Sequence, residues 1–140
     1  MGFVPIIFSA FDSRGEKPTA IYHTNVLLSI GENLAIFCGE AVPENERNQV
    51  VQSLIESGKS VLFISLEQMD QFAGNALELK NHRGKKIWVM STTAQKSLRD
   101  DQLEKIQEQG EIVALHIPTI ERIGGGSARC MIAENFLPEV

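Results

Sequence analysis

The stretch "GGGSARCMIAE", residues 124–134, places three glycines, a serine and an arginine shortly before a cysteine. Glycine loses more backbone entropy on folding than any other residue, so three in succession indicate a conformation that other residues do not adopt. Two interpretations fit this stretch. It is a plain turn that leads into a final strand, or it is a loop whose backbone approaches a small ligand beside the thiol of Cys130.

Composition narrows the class of protein. The 140 residues are 43% hydrophobic and carry a net charge of −5, which is typical of one soluble globular domain and argues against nucleic acid as a partner. No apolar run of about 18 residues predicts a membrane span. Cys38 and Cys130 lie far apart, and neither a CxxC nor an HExxH spacing occurs, which favours a cytoplasmic protein without disulfides or zinc.

Hydrophobic patterning predicts an α/β fold with an internal repeat. A helix begins at Glu44, after Pro43, and ends before Gly58, and a second helix spans about 94–109 with Thr92 or Thr93 as its cap. Predicted strands cover residues 4–11, 20–31, 34–39, 60–66, 74–80, 85–91, 111–118 and 128–137. The order strand, strand, helix, strand therefore occurs twice, with a period of about 50 residues.

Cys130 is the candidate nucleophile. The neighbouring Arg129 and the backbone N–H groups of the glycine loop would favour a thiolate and stabilise negative charge on a bound ligand. The alternative is that Cys130 is one more buried cysteine in a strand, and the residues alone leave both open. Cys38, inside the apolar run "LAIFCG" (34–39), is predicted to belong to the core.

The stretch "YHTNV", residues 22–26, supplies a candidate acid–base partner. Strand alternation would place His23 and Asn25 on one face, where an imidazole and an amide can converge on one ligand. The alternative is a hydrogen-bonded structural histidine. As a pair, His23 and Cys130 would provide the base and nucleophile that covalent catalysis needs.

The polar stretch "SLEQMDQFAGNAL", residues 65–77, separates a predicted buried strand from the second repeat. Glu67, Gln68 and Asp70 either form a solvated loop or line a pocket at the end of a strand. Asn75 lies at the far end of the same stretch.

Taken together, "YHTNV", "SLEQMDQFAGN" and "TIERIGGGSARCMIAENFLP" resemble the guanidine-modifying, or pentein, superfamily. Its members include arginine deiminases, agmatine deiminases, amidinotransferases and dimethylarginine hydrolases, and the closest likeness is to the amidinotransferase-like or citrulline-utilisation hydrolase branch. The resemblance runs from about residue 5 to 138. It implies a partial α/β-propeller of about two to three ββαβ modules of a pseudo-fivefold barrel.

The resemblance also implies a cysteine-dependent hydrolase or transferase that acts on a guanidino or ureido compound through a covalent thio-intermediate. Cys130 would be the nucleophile and His23 the general acid and base, with no metal or organic cofactor. Several family members have aspartate where this chain has Asn25, and an uncharged amide suits a neutral ureido group such as that of citrulline. The implied substrate-binding residues are Asn25, Asn75, Gly124, Gly125, Gly126 and Ser127.

The length of the chain predicts that it needs a partner to complete the fold. Five modules of about 50 residues would need roughly twice this chain, so residues 1–140 are expected to form a single domain that is the C-terminal half of such an enzyme. Open sheet edges and uncovered apolar faces predict a homo-oligomer or a separate N-terminal half as partner. The alternative function is a non-catalytic truncated pentein that serves as a subunit or interaction module. Redox sensing by Cys130 is a third hypothesis.

Overall fold

A short hairpin precedes the two repeated units of the chain. The computed structural model describes residues 4–133 and Asn135. Strand β1 (Phe11–Asp12) pairs antiparallel with β2 (Thr19–Ala20), and a series of bends between them forms the predicted turn. The predicted strand over 4–11 is wrong except at Phe11, because residues 4–10 have no regular secondary structure.

The first unit follows the predicted order of strand, strand, helix, strand. Its β3 and β4 pair antiparallel, and β4 and β5 pair parallel, as expected when a hairpin is followed by a crossover helix. Val50 and Leu54 are the buried residues of its helix, α1, which has Glu44 and Glu46 in the first turn. The elements are β3 (Leu28–Ile30), β4 (Leu34–Phe37), α1 (Glu44–Glu56) and β5 (Ser60–Phe63).

The second unit repeats this topology after a short helix α2 (Leu66–Asp70). The prediction of a repeat is thus confirmed, but the single helix over 94–109 is wrong. Leu98 is extended (φ −78°, ψ 142°) and divides it in two, and the Oγ of Ser91, rather than Thr92 or Thr93, caps the first helix. The elements are β6 (Leu77–Lys80), β7 (Lys86–Ser91), α3 (Thr92–Ser97), α4 (Asp100–Gln107) and β8 (Glu111–Leu115).

The two units share one hydrophobic core. Ile36 and Phe37 of β4 and Trp88 and Met90 of β7 are fully buried in the same cluster. Gly31 permits the close approach of the units, since a Cβ there would lie 2.7 Å from Cζ2 of Trp88. This packing holds the ends of both sheets in a fixed relationship, and the candidate site is built at those ends.

A pair of buried amides also joins the units. Gln68, on α2, donates to Oε1 of Gln102 at 2.7 Å and to the carbonyl of Ser97 at 2.8 Å. Gln102, on α4, donates to the carbonyl of Phe63 at 2.8 Å. Gln68 is therefore a structural connection within the fold, and the solvated-loop interpretation of this residue is wrong.

Sequence patterning misplaced the backbone at both segments that carry candidate catalytic residues. The predicted strand over 20–31 is interrupted by a 3₁₀ helix at Thr24–Val26. The predicted final strand over 128–137 begins instead as a 3₁₀ helix at Ala128–Met131, and its positions 134, 136 and 137 lie outside the described residues. Helix α5 (Pro118–Gly124), with Pro118 in its first turn, was not predicted.

The α/β class is confirmed, as two separate three-stranded sheets in addition to the hairpin. The described residues form no closed sheet, so the propeller arrangement stays an expectation of the resemblance. No helix within residues 4–133 has the length and apolar character needed to cross a membrane.

Candidate active site

The three glycines have three different environments and do not form one loop, which corrects the prediction. Gly124 is the last residue of α5, and Gly125 follows it in the left-handed conformation (φ 66°) that commonly ends a helix. Gly126 packs on the cysteine, since a Cβ there would lie 3.1 Å from Sγ of Cys130 and 3.2 Å from its Cβ. The stretch is thus a helix end followed by a glycine that leaves space at the thiol.

The two cysteines differ as the sequence suggested. Cys130 is exposed in its 3₁₀ helix, so the interpretation as a buried strand cysteine is wrong, whereas Cys38 is fully buried in the core. Burial raises the pKa of the Cys38 thiol to about 11. Cys130 is therefore the thiol that solvent and small molecules can reach.

Asn75 contacts the thiol from the buried side. Its Nδ2 donates to Sγ of Cys130 at 3.2 Å and to the carbonyl of Asn25 at 3.1 Å, while its Oδ1 accepts the backbone N–H of Arg129 at 3.1 Å. Asn75 is fully buried. Because the Arg129 N–H occupies Oδ1, the amide must present its NH₂ group to the sulfur.

The turn before Asn75 explains how a polar side chain enters this position. The backbone N–H of Asn75 donates to the carbonyl of Phe72 at 2.8 Å, and Phe72 itself has a left-handed φ of 65°. Gly74 lies directly against the backbone carbonyl of Val26, where a Cβ would overlap the oxygen. The glycine thereby lets the turn approach the segment that carries His23 and Asn25.

His23 and Asn25 lie on a turn. The prediction from strand alternation, that they share one face of a strand, is therefore wrong. The backbone N–H of Asn25 donates to Nδ1 of His23 at 3.2 Å, which caps the 3₁₀ helix. Because Nδ1 is an acceptor, the neutral imidazole carries its proton on Nε2. The Nδ2 of Asn25 lies 3.5 Å from Sγ of Cys130, so Asn25 contacts both members of the candidate pair.

Arg129 and Tyr22 hold the surrounding backbone. The guanidinium of Arg129 donates to the carbonyl of Leu28 at 2.8 Å, and the hydroxyl of Tyr22 donates to the carbonyl of Gly125 at 2.7 Å. The first contact ties the Cys130 segment to β3. The second ties the end of α5 to the segment that precedes His23.

A cavity of about 380 Å³ lies beside these residues, and its lining includes Tyr22, Val26 and Gly125. Asp12 and Asp70 also line it, and Arg14 forms ion pairs with both at 2.6 Å. Hydrogen bonding from Arg14 lowers the pKa of Asp12 to about 2. Cys130 does not line this cavity, so we assign the candidate site from the hydrogen bonds at the thiol.

Ser127 has other surroundings than the sequence suggested, whereas Glu67 is solvated, as one of its two interpretations held. Ser127 is fully buried, and its hydroxyl donates to Oε1 of Glu121 at 2.7 Å. Sequence reasoning missed Glu121, whose place in "TIERIGGG" is that of an ordinary polar residue on a short helix. Glu67 is exposed and lies 3.7 Å from Nη1 of Arg14. Within the described part of the chain, no three His, Cys, Asp or Glu side chains are grouped as a metal site.

Comparisons with known proteins give the family. A family model described as "N,N dimethylarginine dimethylhydrolase, eukaryotic" matches residues 1–137. The structure is similar to ArgZ, an arginine dihydrolase from the ornithine–ammonia cycle in cyanobacteria, with a TM-score of 0.61 and 15% identity over 85% of this chain and 18% of that chain. The product-bound N-terminal domain of ArgZ gives a TM-score of 0.57 and 19% identity, over 78% of this chain and 36% of that chain.

At these identities the structural likeness shows the fold alone, and this chain spans well under half of either ArgZ structure. No curated protein matches the sequence. The amidinotransferase-like or citrulline-utilisation branch stays a prediction, because neither the family nor the structures single it out. The match over nearly the whole sequence places the chain in the N,N-dimethylarginine dimethylhydrolase family, within the pentein superfamily of guanidino-modifying proteins.

Proposed function

We propose that this chain supplies the nucleophile and the acid–base residue of a site that hydrolyses a guanidino group. The observation that carries the proposal is the surroundings of Cys130: an exposed thiol receives N–H groups from Asn75 and Asn25. The backbone of Asn25 in turn orients His23. Hydrogen bonds to an ionised acceptor are stronger than those to a neutral one, so both amides favour the thiolate.

In the proposed reaction, Sγ of Cys130 forms a bond to the central carbon of the guanidinium, and the C=N electron pair moves onto nitrogen. For this step His23 is protonated on both nitrogens, so its Nδ1 no longer accepts the backbone N–H of Asn25. It gives the Nε2 proton to the departing nitrogen, the C–N bond breaks to release an amine, and the neutral ring then accepts that N–H again. The product is a thiouronium on Cys130. Water then attacks the same carbon and gives one proton to His23. The C–S bond breaks to regenerate the thiolate and release the ureido product, whose remaining extra proton passes to solvent.

The remaining predicted site residues take supporting roles in this proposal. Gly126 leaves the space through which the planar group approaches Sγ, since any side chain there would press on the cysteine. Gly124, Gly125 and Ser127 shape the backbone that leads to the thiol. Asn75 is fully buried, so we assign it to the sulfur and not to the substrate.

A ureido group is the second candidate for the reacting group. Asn25 is an uncharged amide beside the thiol, and an amide carries no charge with which to favour a cation over a neutral group. A site in which the amides dominate would accept citrulline, whereas one in which a carboxylate from elsewhere contributes would prefer arginine or dimethylarginine. Turnover of arginine or dimethylarginine without citrulline would rule the ureido candidate out.

Covalent trapping tests the proposal directly. The full chain is incubated in turn with arginine, N,N-dimethylarginine, citrulline and agmatine, quenched in acid, and digested for mass spectrometry of the peptide that contains Cys130. We expect a substrate-derived mass on Cys130 with at least one of the first three compounds. Cys130→Ser should carry none, and His23→Ala should fail to release product.

The alternative is a non-catalytic subunit or interaction module. Absence of any adduct or product with all four compounds, in a folded chain, would support this alternative. As partner we propose a second copy of the chain or a separate N-terminal half. Light scattering at micromolar concentration distinguishes these, since a monomer contradicts the homo-oligomer.

A further inference from the structure

Glu121 is a buried carboxylate that makes no direct contact with the thiol. It is 8% exposed, and it accepts hydrogen bonds from the hydroxyls of Thr93 and Ser127, each at 2.7 Å. Burial by itself would raise the pKa of Glu121, but hydrogen bonds from Ser127, Ser91 and Thr93 outweigh it, and the pKa lies below its ordinary value. A buried ionised group is costly unless it is fully paired, so the hydroxyls around Glu121 need an explanation.

The hydroxyls come from different parts of the fold. Ser91 is the last residue of β7 and the cap of α3, and Thr93 lies in the first turn of α3. Ser127 directly precedes the 3₁₀ helix that carries Cys130, and its carbonyl accepts the backbone N–H of Cys130 at 3.0 Å. Glu121 therefore connects the second unit to the cysteine segment through one carboxylate.

This connection complements the contact with Asn75. Asn75 holds the backbone N–H of Arg129, one residue before the cysteine. Glu121 holds Ser127, three residues before it. The two contacts together hold the 3₁₀ helix at its start and near the thiol, and Gly126, immediately before Ser127, has no side chain with which to anchor the segment.

We propose that Glu121 is a positioning residue for Cys130: its carboxylate holds Ser127 so that the 3₁₀ helix presents the thiol to the amides of Asn75 and Asn25. The proposal rests on the proposed role of Cys130 as the nucleophile. An ionised carboxylate suits this task because it only accepts hydrogen bonds, and its two oxygens accept from several hydroxyls. A glutamine of the same shape would turn an NH₂ group toward one of them.

The reactivity of the thiol is the readout, because a merely structural role would not change it. The second-order rate constant for alkylation of Cys130 by iodoacetamide is measured from about pH 6 to pH 10 in the full chain. The variants are Glu121→Gln, Ser127→Ala and their double variant, and circular dichroism and thermal melting establish that each folds. Ser97→Ala is the matched control, since it removes a hydroxyl of α3 that donates to the carbonyl of Ala94 at 2.8 Å and not to Glu121.

We expect Glu121→Gln and Ser127→Ala each to slow alkylation at neutral pH by about 5- to 10-fold and to move the pH profile toward higher pH, as a loss of about 1 kcal/mol in thiolate stabilisation requires. The double variant should be no slower than the slower single variant, because both remove the same connection. Ser97→Ala should lower the melting temperature and leave the alkylation profile close to that of the parent chain.

A folded Glu121→Gln with the parent profile would overturn the proposal, as would a strictly additive double variant. Should Glu121→Gln not fold, Ser127→Ala carries the test alone, and an unchanged profile in that variant would overturn the proposal equally. Alkylation needs no substrate. A profile that shifts in a chain that turns over no guanidino compound would keep the positioning role and reject the proposed function.

Discussion

The side-chain amide of Asn75 joins Cys130 to its own backbone neighbour: Nδ2 lies 3.2 Å from Sγ of Cys130, and Oδ1 lies 3.1 Å from the backbone nitrogen of Arg129. The second bond fixes the direction of the first, since it leaves only the NH₂ group to face the sulfur. Asn75 is 50 residues from Asn25 in the sequence and also donates to its carbonyl at 3.1 Å. The buried amide of Asn75 thus fixes the position of the Cys130 segment and also supplies an N–H donor to the sulfur.

Replacement of this amide by a carboxylate should suppress the thiolate. Asn75→Asp keeps nearly the same shape but puts an acceptor, and negative charge when ionised, 3.2 Å from the sulfur in place of the N–H. We expect iodoacetamide alkylation of Cys130 near neutral pH to slow by at least about 10-fold, which corresponds to about 1.4 kcal/mol. Asn48→Asp, an equal charge change at an exposed position of α1, is the control and should react as the parent does. An unchanged rate in folded Asn75→Asp would contradict the assignment.

The three glycines should respond differently to alanine. Gly126→Ala places a Cβ 3.1 Å from Sγ of Cys130, so we expect slower alkylation and loss of any adduct with guanidino compounds. Gly124→Ala, in the last turn of α5, meets only Cγ2 of Ile120 at 3.9 Å and should leave alkylation unchanged, with a gain of up to about 1 kcal/mol in stability. Equal alkylation rates in the two variants would show that Gly126 does not govern access to the thiol.

Substitution of Gly125 tests the backbone conformation at this position and not a side-chain contact. A Cβ at this position meets open space, but φ is +66°, which costs a residue with a Cβ roughly 1 kcal/mol. Urea unfolding should therefore show Gly125→Ala to be less stable by about that amount, and Gly125→Asn should recover part of the loss because asparagine tolerates the left-handed region. A Gly125→Asn that is less stable than Gly125→Ala would refute this reason for the glycine.

The thiols of Cys130 and Cys38 should differ in their reactivity toward iodoacetamide. Cys130 is exposed, whereas Cys38 is fully buried with its pKa raised to about 11 by burial. Near neutral pH the native chain should take up one equivalent of iodoacetamide, on Cys130, and a second only in denaturant. Peptide mass spectrometry assigns the sites, with Cys130→Ser as the control that should remain unlabelled under native conditions. Rapid native labelling of Cys38 would contradict the buried placement.

The sequence predicted the two units well because their signals are local. The apolar stretch of β4 and the one-sided stripe of Val50 and Leu54 on α1 are the patterns that burial on one face requires. The break at Leu98 was missed because the apolar spacing of Leu98, Leu103 and Ile106 continues through it. The strongest sequence patterns therefore predict the strands and helices of the two repeated units.

The catalytic segments were misjudged because their conformation depends on distant contacts. The apolar residues after Cys130 favoured a strand, but the structure forms a 3₁₀ helix that Asn75 contacts at Arg129 from 54 residues away in the sequence. The alternation around His23 favoured a strand, but the imidazole caps the backbone two residues later. Such hydrogen bonds leave no periodic trace, so the sequence indicated which residues form the site and not how they are held.

The pH dependence of unfolding in acid should show whether the negative charge of Glu121 stabilises the fold. Its pKa in the folded chain lies below the ordinary value of 4.5, so the ionised carboxylate stabilises the fold above that pH, and the contribution is lost as the pH falls through the lower folded pKa. Glu121→Gln should therefore cost roughly 2 kcal/mol at neutral pH, the range for hydrogen bonds to a charged group. A coulombic interaction with His116 also lowers the pKa of Glu121, and His116 is retained in both chains.

Urea unfolding of the two chains at a series of pH values from neutral into acid measures this difference in the free energy of unfolding. The difference should shrink once the pH falls below 4.5, because the parent chain then loses the hydrogen-bonded carboxylate that the variant already lacks. Glu108→Gln, which removes an exposed carboxylate just after α4, is the control and should follow the parent throughout. A difference that stays the same in acid would mean that Glu121 acts through its shape, and that its charge does not hold Ser127.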